Sequence, residues 1–193
     1  MIGQLSALLS LVLHTQFTVF LFAFLRKYVP QFAQTTFLLK IVSIGIDWVT
    51  AQNADESSPY YNKIDVKNIA VAGMSCGGLQ TLYNCADKRI KTLMVCNSGL
   101  FNESNAGSAV GGMPMPPKSK LKEIHSSIIY ILGGETDIAY GNGMDDFSKI
   151  DHVPACATNL PVGHGGTYAQ PHGGEYAIVA LAWLDWQLKG DQE

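Results

Sequence analysis

The chain has 193 residues, the size of one domain, and a net charge of −3. Charged residues make up 15% and apolar residues 47%, which excludes a disordered or low-complexity polypeptide. The mild acidity excludes non-specific nucleic-acid binding as a leading reading.

The charge is unevenly distributed. Residues 1–46 hold Arg26, Lys27 and Lys40 and no acidic residue, for +3, whereas residues 47–193 hold all 16 acidic residues, for −6. Leu5 to Leu25 contains no Asp, Glu, Lys or Arg, and about 20 apolar residues suffice to cross a hydrocarbon core. Arg26, Lys27 and Tyr28 follow directly, as an interfacial anchor would. A secretory signal fits less well, because Met1 to Leu13 has no Lys or Arg. Two readings stand for residues 5–25. One is a membrane-associated helix; if it spans, Arg26 and Lys27 favour the C-terminal part on the cytoplasmic side, and a membrane-associated or secreted protein is favoured over a plain cytoplasmic one. The other is a buried element of a soluble core.

Thr35 to Ala54 reads as a helix, with Phe37, Leu38, Ile41, Val42, Ile44, Trp48 and Val49 in a broad apolar stripe. A polar loop, Asp55 to Asp65, precedes a short apolar strand at Asn68–Gly73. A helix is expected over Gly78–Asp87 and a second strand over Thr92–Cys96. Asn97 to Pro117 is rich in Gly, Asn, Ser and Pro and reads as a long excursion. A short helix (Lys118–His125), an Ile-rich strand (Ser127–Leu132), a helical turn (Met144–Ile150), a strand (Val153–Leu160) and a last helix (Glu175–Leu188) complete the chain. Strands alternating with helices specify an α/β fold with a mainly parallel sheet flanked by helices.

Gly73-Met74-Ser75-Cys76-Gly77 matches the Gly-x-Ser-x-Gly pattern, with an apolar strand before it and a helix-compatible segment after it. Such a turn presents a serine hydroxyl clear of the sheet, beside the N–H groups that open the next helix. The serine needs a base, and the base a carboxylate to orient it. Asp137 follows the Ile-rich strand in Gly133-Gly134-Glu135-Thr136-Asp137, and His164 follows the last strand in Val162-Gly163-His164-Gly165-Gly166. Both lie in loops at the carboxyl edge of a parallel sheet, where ligands bind in open α/β folds. Glu135 and His172 stand as the alternative carboxylate and imidazole. His125 and His152 precede strands and belong at the opposite edge. Asp145 and Asp146 are expected at a solvated helix start. Cys76, Cys85, Cys96 and Cys156 form no CxxC pair or zinc-like cluster; they read as buried free thiols, with the Cys76 side chain in packing and no metal.

On these residues the chain resembles the α/β-hydrolase superfamily, in its esterase, lipase and dienelactone-hydrolase-like branch. The closing stretch from Gly174-Glu175-Tyr176 to Trp183-Leu184-Asp185-Trp186 is similar as well. The resemblance covers about residues 35–190 and implies hydrolysis of a small-molecule or lipid-like ester without a cofactor. Ser75 would be the nucleophile, His164 the base and Asp137 its orienting acid, with the Cys76 N–H binding the oxyanion. Met74, Phe101 and Met113 are candidates for the substrate wall.

Members of the superfamily usually place several strands and a second oxyanion donor before the elbow. Here Gly3 is the sole glycine before Gly45, and no loop in Met1–Gln34 has that character. The expected organisation is therefore an apolar segment (residues 1–34), either a membrane-associated helix or an aberrant start, followed by a hydrolase-like part (residues 35–193) that lacks its first strands. A catalytically impaired hydrolase, acting as a binding or membrane-held module, is the alternative reading.

Overall fold

A computed structural model describes residues 31–102, 109–110 and 113–191. The chain divides into two compact units, Met1–Leu38 and Leu39–Glu193. Of the first unit, only residues 31–38 are described. The apolar run at 5–25 lies outside the described residues; among those described, no helix is long and apolar enough to cross a membrane.

Four strands, β1 (Ile69–Met74), β2 (Ile90–Cys96), β5 (Ser127–Leu132) and β6 (Ala155–Asn159), form an all-parallel sheet in the order β1-β2-β5-β6. The strands are joined by α2 (Cys76–Tyr83), by a segment ending in a 3-10 helix (Lys118–Glu123), and by α3 (Tyr140–Ser148). Helix α1 (Gln31–Ala54) precedes the sheet and α4 (Gly174–Leu184) follows it. The excursion after β2 carries a minimal antiparallel hairpin, β3 (Ala109–Val110) with β4 (Met113–Pro114). Parallel strands need long crossovers, and helices in those crossovers cover both faces.

That double coverage explains the uninterrupted apolar strands. In β2, Leu93 and Val95 join Leu79, Leu82, Ile128, Tyr130 and Leu132 in one core. Their neighbours Met94 and Cys96 face the other side, with Ile129, Ile131, Tyr176 and Trp183. Side chains alternate across a strand, so a run such as Leu93-Met94-Val95-Cys96 feeds two cores at once. Burying each such side chain is worth roughly 1.5–3 kcal/mol. Polar groups at the strand ends pair with one another: Trp183 Nε1 donates to Thr92 Oγ1 (2.8 Å), as does Ser127 Oγ (2.9 Å).

Helix α1 departs from its expected packing. It already includes Gln31, four residues before the expected start at Thr35, and the face it turns to the core carries Val42 and Ile46. Ile44 and Trp48 stay exposed, and Trp48 stacks edge-on against Tyr60, centroids 5.9 Å apart. The apolar stripe was too broad to say which part meets the sheet. Asp146 is a second correction. Expected at a solvated helix start, it is fully buried, as an anchor of α3. Its carboxylate accepts from Lys118 Nζ (2.5 Å), the Leu100 N–H (2.7 Å) and the Tyr130 hydroxyl (3.4 Å).

Candidate active site

The turn after β1 has the geometry that the glycine pattern demands. Ser75 sits at φ 53°, ψ −116°, immediately before α2. This is a strained region for a residue with a side chain. Its N–H donates to Cys96 O (3.0 Å), and its carbonyl accepts from Ser98 Oγ (2.8 Å) and the Leu79 N–H (3.2 Å). Three bonds therefore hold the strained residue.

The two glycines of the pattern are not equivalent. A Cβ at Gly73 would lie 2.1 Å from the backbone of Gly77, whereas one at Gly77 would meet nothing within 4 Å. Gly73→Ala is therefore expected to break the turn, with loss of the serine's reactivity and a large drop in melting temperature. Gly77→Ala should fold normally and gain up to about 1 kcal/mol from helix propensity. Equal thermal melts of the two variants would contradict this.

Asp137 and His164 converge on Ser75 from the ends of β5 and β6. His164 Nε2 lies 3.0 Å from Ser75 Oγ, and His164 Nδ1 lies 2.6 Å from Asp137 Oδ1. With the proton on Nδ1, the imidazole donates to the carboxylate and presents a lone pair to the hydroxyl. The two loops touch at Gly133 and Gly163: the Gly163 N–H donates to Gly133 O (2.8 Å), and a Cβ on Gly133 would sit 2.0 Å from Gly163 O. Only glycine allows that approach.

Asp137 is buried and fully occupied. Oδ1 also accepts the Ala139 N–H (2.9 Å), while Oδ2 accepts the Gly133 N–H (3.1 Å) and Asn97 Nδ2 (2.9 Å). Burial alone would raise its pKa. The bonds from Ala139, His164, Gly133 and Asn97 together outweigh burial and hold it below the usual carboxylate value.

The alternatives named from the sequence fall away from this cluster. Glu135 is exposed, and the carboxylate bonded to the imidazole is that of Asp137. His172 is exposed in the short turn Pro171–Gly173. His125 and His152 bond the carbonyls of Asp87 and Ile124, each 3.0 Å away, before β5 and β6. Cys76 needs correction: its side chain is exposed rather than packed. Its N–H belongs to the first turn of α2, whose amides have no acceptor within the helix. All four cysteines are free, and among the described residues no His, Cys, Asp or Glu group could hold a metal. Met74 and Phe101 are partly buried and pack against the two cores. The Met113 side chain lies outside the described residues.

No family model and no curated protein matches the chain. Solved structures do. Acylaminoacyl peptidase from Pyrococcus horikoshii superposes with a TM-score of 0.55 at 14% identity, over 69% of this chain and 26% of its own. A protein assigned as a dienelactone hydrolase from Klebsiella pneumoniae superposes with a TM-score of 0.56 at 12% identity, over 86% of this chain and 64% of its own. The chain has the α/β-hydrolase fold. It spans less than two thirds of the length of either of these structures. Among the described residues, the hydrolase sheet has β1 at one edge, and the only element before it is α1.

Asn97 and Tyr176 escaped the sequence reading of this site. Asn97 follows β2 and is fully buried, and its amide reaches Asp137, Gly163 O and the Tyr176 hydroxyl. Burial pushes the Tyr176 phenol up to about 12, so it stays neutral there. The available signal was an Asn directly after a buried strand at the ligand-facing edge.

Proposed function

We propose that the protein is a serine hydrolase that cleaves carboxylic ester bonds in a small-molecule or lipid-like substrate. The observation that carries this reading is the continuous hydrogen-bonded chain from Ser75 Oγ through His164 to a buried, four-fold bonded Asp137. Ser75 Oγ attacks the acyl carbon while His164 Nε2 takes its proton. Asp137 holds the imidazolium in orientation and offsets its charge. The oxyanion is met by the Cys76 N–H at the positive end of α2. Collapse of the tetrahedral adduct transfers the proton from His164 to the leaving alkoxide, and water repeats the sequence to release the acid.

The test uses a fluorophosphonate probe and p-nitrophenyl acetate or butyrate. Labelling should map to Ser75 by mass spectrometry, vanish in Ser75→Ala, and accompany turnover. Folded protein that neither labels nor turns over refutes the proposal. Among the described residues β1 is an edge strand, and a second reading is an impaired hydrolase in which no second oxyanion donor acts. Losing one donor costs about 10²–10³ in rate, so that reading expects labelling with very slow turnover. Faster release of p-nitroaniline from a peptide anilide than of p-nitrophenol from the esters would instead make the substrate a peptide.

A further inference from the structure

We infer that Asn97 is a positioning residue that sets the charge balance of the Asp137–His164 pair and ties the acid loop to the histidine loop; this rests on the triad reading above. Its Nδ2 carries two hydrogens and faces three acceptors: Asp137 Oδ2 at 2.9 Å, Tyr176 Oη at 3.0 Å and Gly163 O at 3.1 Å. Gly163 is the residue before His164, so one amide group touches both the acid and the backbone that carries the base.

Two features mark this position. First, Asn97 sits at φ 44°, a left-handed conformation in which asparagine is enriched among residues with a side chain. Its own N–H still extends the sheet, donating to Ile131 O (2.9 Å). Second, its Oδ1 is buried with no hydrogen-bond partner among the described residues. Buried polar atoms are paired in the great majority of cases. Rotating the amide would not help, because it would set Oδ1 against the Asp137 carboxylate. The next residue, Ser98, bonds the Ser75 carbonyl (2.8 Å). The two residues after β2 thus brace the nucleophile on one side and the acid–base pair on the other.

The positive end of the Asn97 amide draws on the negative charge of Asp137. Removing it leaves the carboxylate more negative toward the imidazole, so His164 should keep its proton to higher pH. A purely structural role for Asn97 would lower the melting temperature and leave that titration where it was.

The experiment compares the full chain with Asn97→Ala, Asn97→Leu and Tyr176→Phe. The Leu variant keeps the volume. The Phe variant removes one competing acceptor and leaves both N–H bonds for Asp137 and Gly163. The His164 imidazole is titrated by NMR, its resonance assigned with His164→Gln, and fluorophosphonate labelling is followed across pH. Both Asn97 variants should raise the titration midpoint. They should also slow labelling by about 10–100-fold, as loss of alignment does. Tyr176→Phe should move the midpoint downward. An unchanged midpoint in the folded variants overturns the role of Asn97, whether or not Ser75 is labelled. Absence of labelling in the unaltered chain, with the midpoints still moving as expected, refutes the hydrolase reading and leaves Asn97 in place.

Discussion

Asp137→Asn should lower the rate of Ser75 acylation by about 10⁴, the loss typical of removing the carboxylate from such a triad. The contacts at Asp137 say why. Its two oxygens accept from four donors: His164 Nδ1, the N–H groups of Ala139 and Gly133, and Asn97 Nδ2. An asparagine keeps one acceptor and turns an NH₂ toward donors at the other. If the NH₂ faces His164, the imidazole must present a lone pair to it, and the proton moves to Nε2. The side that should take the serine proton is then already protonated. If the NH₂ faces Gly133 and Asn97, those donors are left unpaired in a buried place, at about 1–3 kcal/mol each. Activity and stability should therefore fall together. The wild-type acid also makes a pH statement. Its pKa is lower folded than unfolded, so its contribution to stability is complete above the unfolded value of 3.8 and is lost as pH falls through the folded one. Urea midpoints should fall more steeply below pH 4 in the wild type than in Asp137→Asn, the difference being the share of this group. Acylation of Asp137→Asn within tenfold of wild type would refute the assignment.

Lys118→Met is expected to destabilise the protein by about 3–5 kcal/mol at pH 7–8, as removing one partner of a buried ion pair does. Lys118 Nζ reaches Asp146 Oδ1 (2.5 Å), Asp145 Oδ2 (2.7 Å) and Asn142 O (3.2 Å). Asp146 has no exposed side-chain surface. Burial pushes its carboxyl up to about 6, against the opposing pull of Lys118, the Leu100 N–H and the Tyr130 hydroxyl. A folded pKa above the unfolded one means that the folded state holds the proton more tightly. Stability from this group is therefore present below about pH 4 and is lost as pH rises through about 6. Without Lys118 the folded pKa climbs further. The variant should then take up a proton at pH 5, and its deficit should shrink there. Equal deficits at pH 5 and pH 8, from urea midpoints, would contradict this account. Asp146→Asn should also destabilise the protein at pH 8, because its NH₂ must face either Lys118 Nζ or the Leu100 N–H, leaving a buried donor unpaired. The consequence reaches the site, because α3 begins three residues after Asp137 and the Tyr140 N–H bonds the Asp137 carbonyl (3.0 Å). Loosening α3 loosens the acid.

Much of the site could be read before folding was considered. The turn at Ser75 is a local event, written in adjacent residues: an apolar strand, small residues around the serine, and a helix start. Asp137 and His164 could be placed because each follows a strand, and parallel strands deliver their following loops to one edge. The same rule set His125 and His152 at the other edge. Even so, the Gly-x-Ser-x-Gly pattern overstated the need for glycine at 77, since whether a Cβ fits depends on what packs above it.

The remaining features depended on partners far away in the chain. Ser75 and His164 are 89 residues apart, and Asn97 and Tyr176 are 79 apart. Asn97 sat unnoticed at the head of a loop-like stretch because its place directly after a buried strand is also that of an ordinary turn former. Asp146 looked solvated because a short amphipathic helix with two acids has that appearance; Lys118 and Tyr130 reach it only once β5 and the 3-10 helix pack together. Ile44 and Trp48 belonged to an apolar stripe that exceeded the surface available to bury it.

The sequence by itself determined the alternation of strands and helices, the parallel sheet, the serine turn and the two loops that carry His164 and Asp137. All of these follow from periodicity and from steric demands within a few residues. The tertiary structure alone decided which carboxylate, Asp137 rather than Glu135, meets the imidazole, which amide steadies it, and which charge is buried beneath it. Those outcomes are set by strand register and by the packing of helices on two faces, through which residues tens of positions apart come within hydrogen-bond distance.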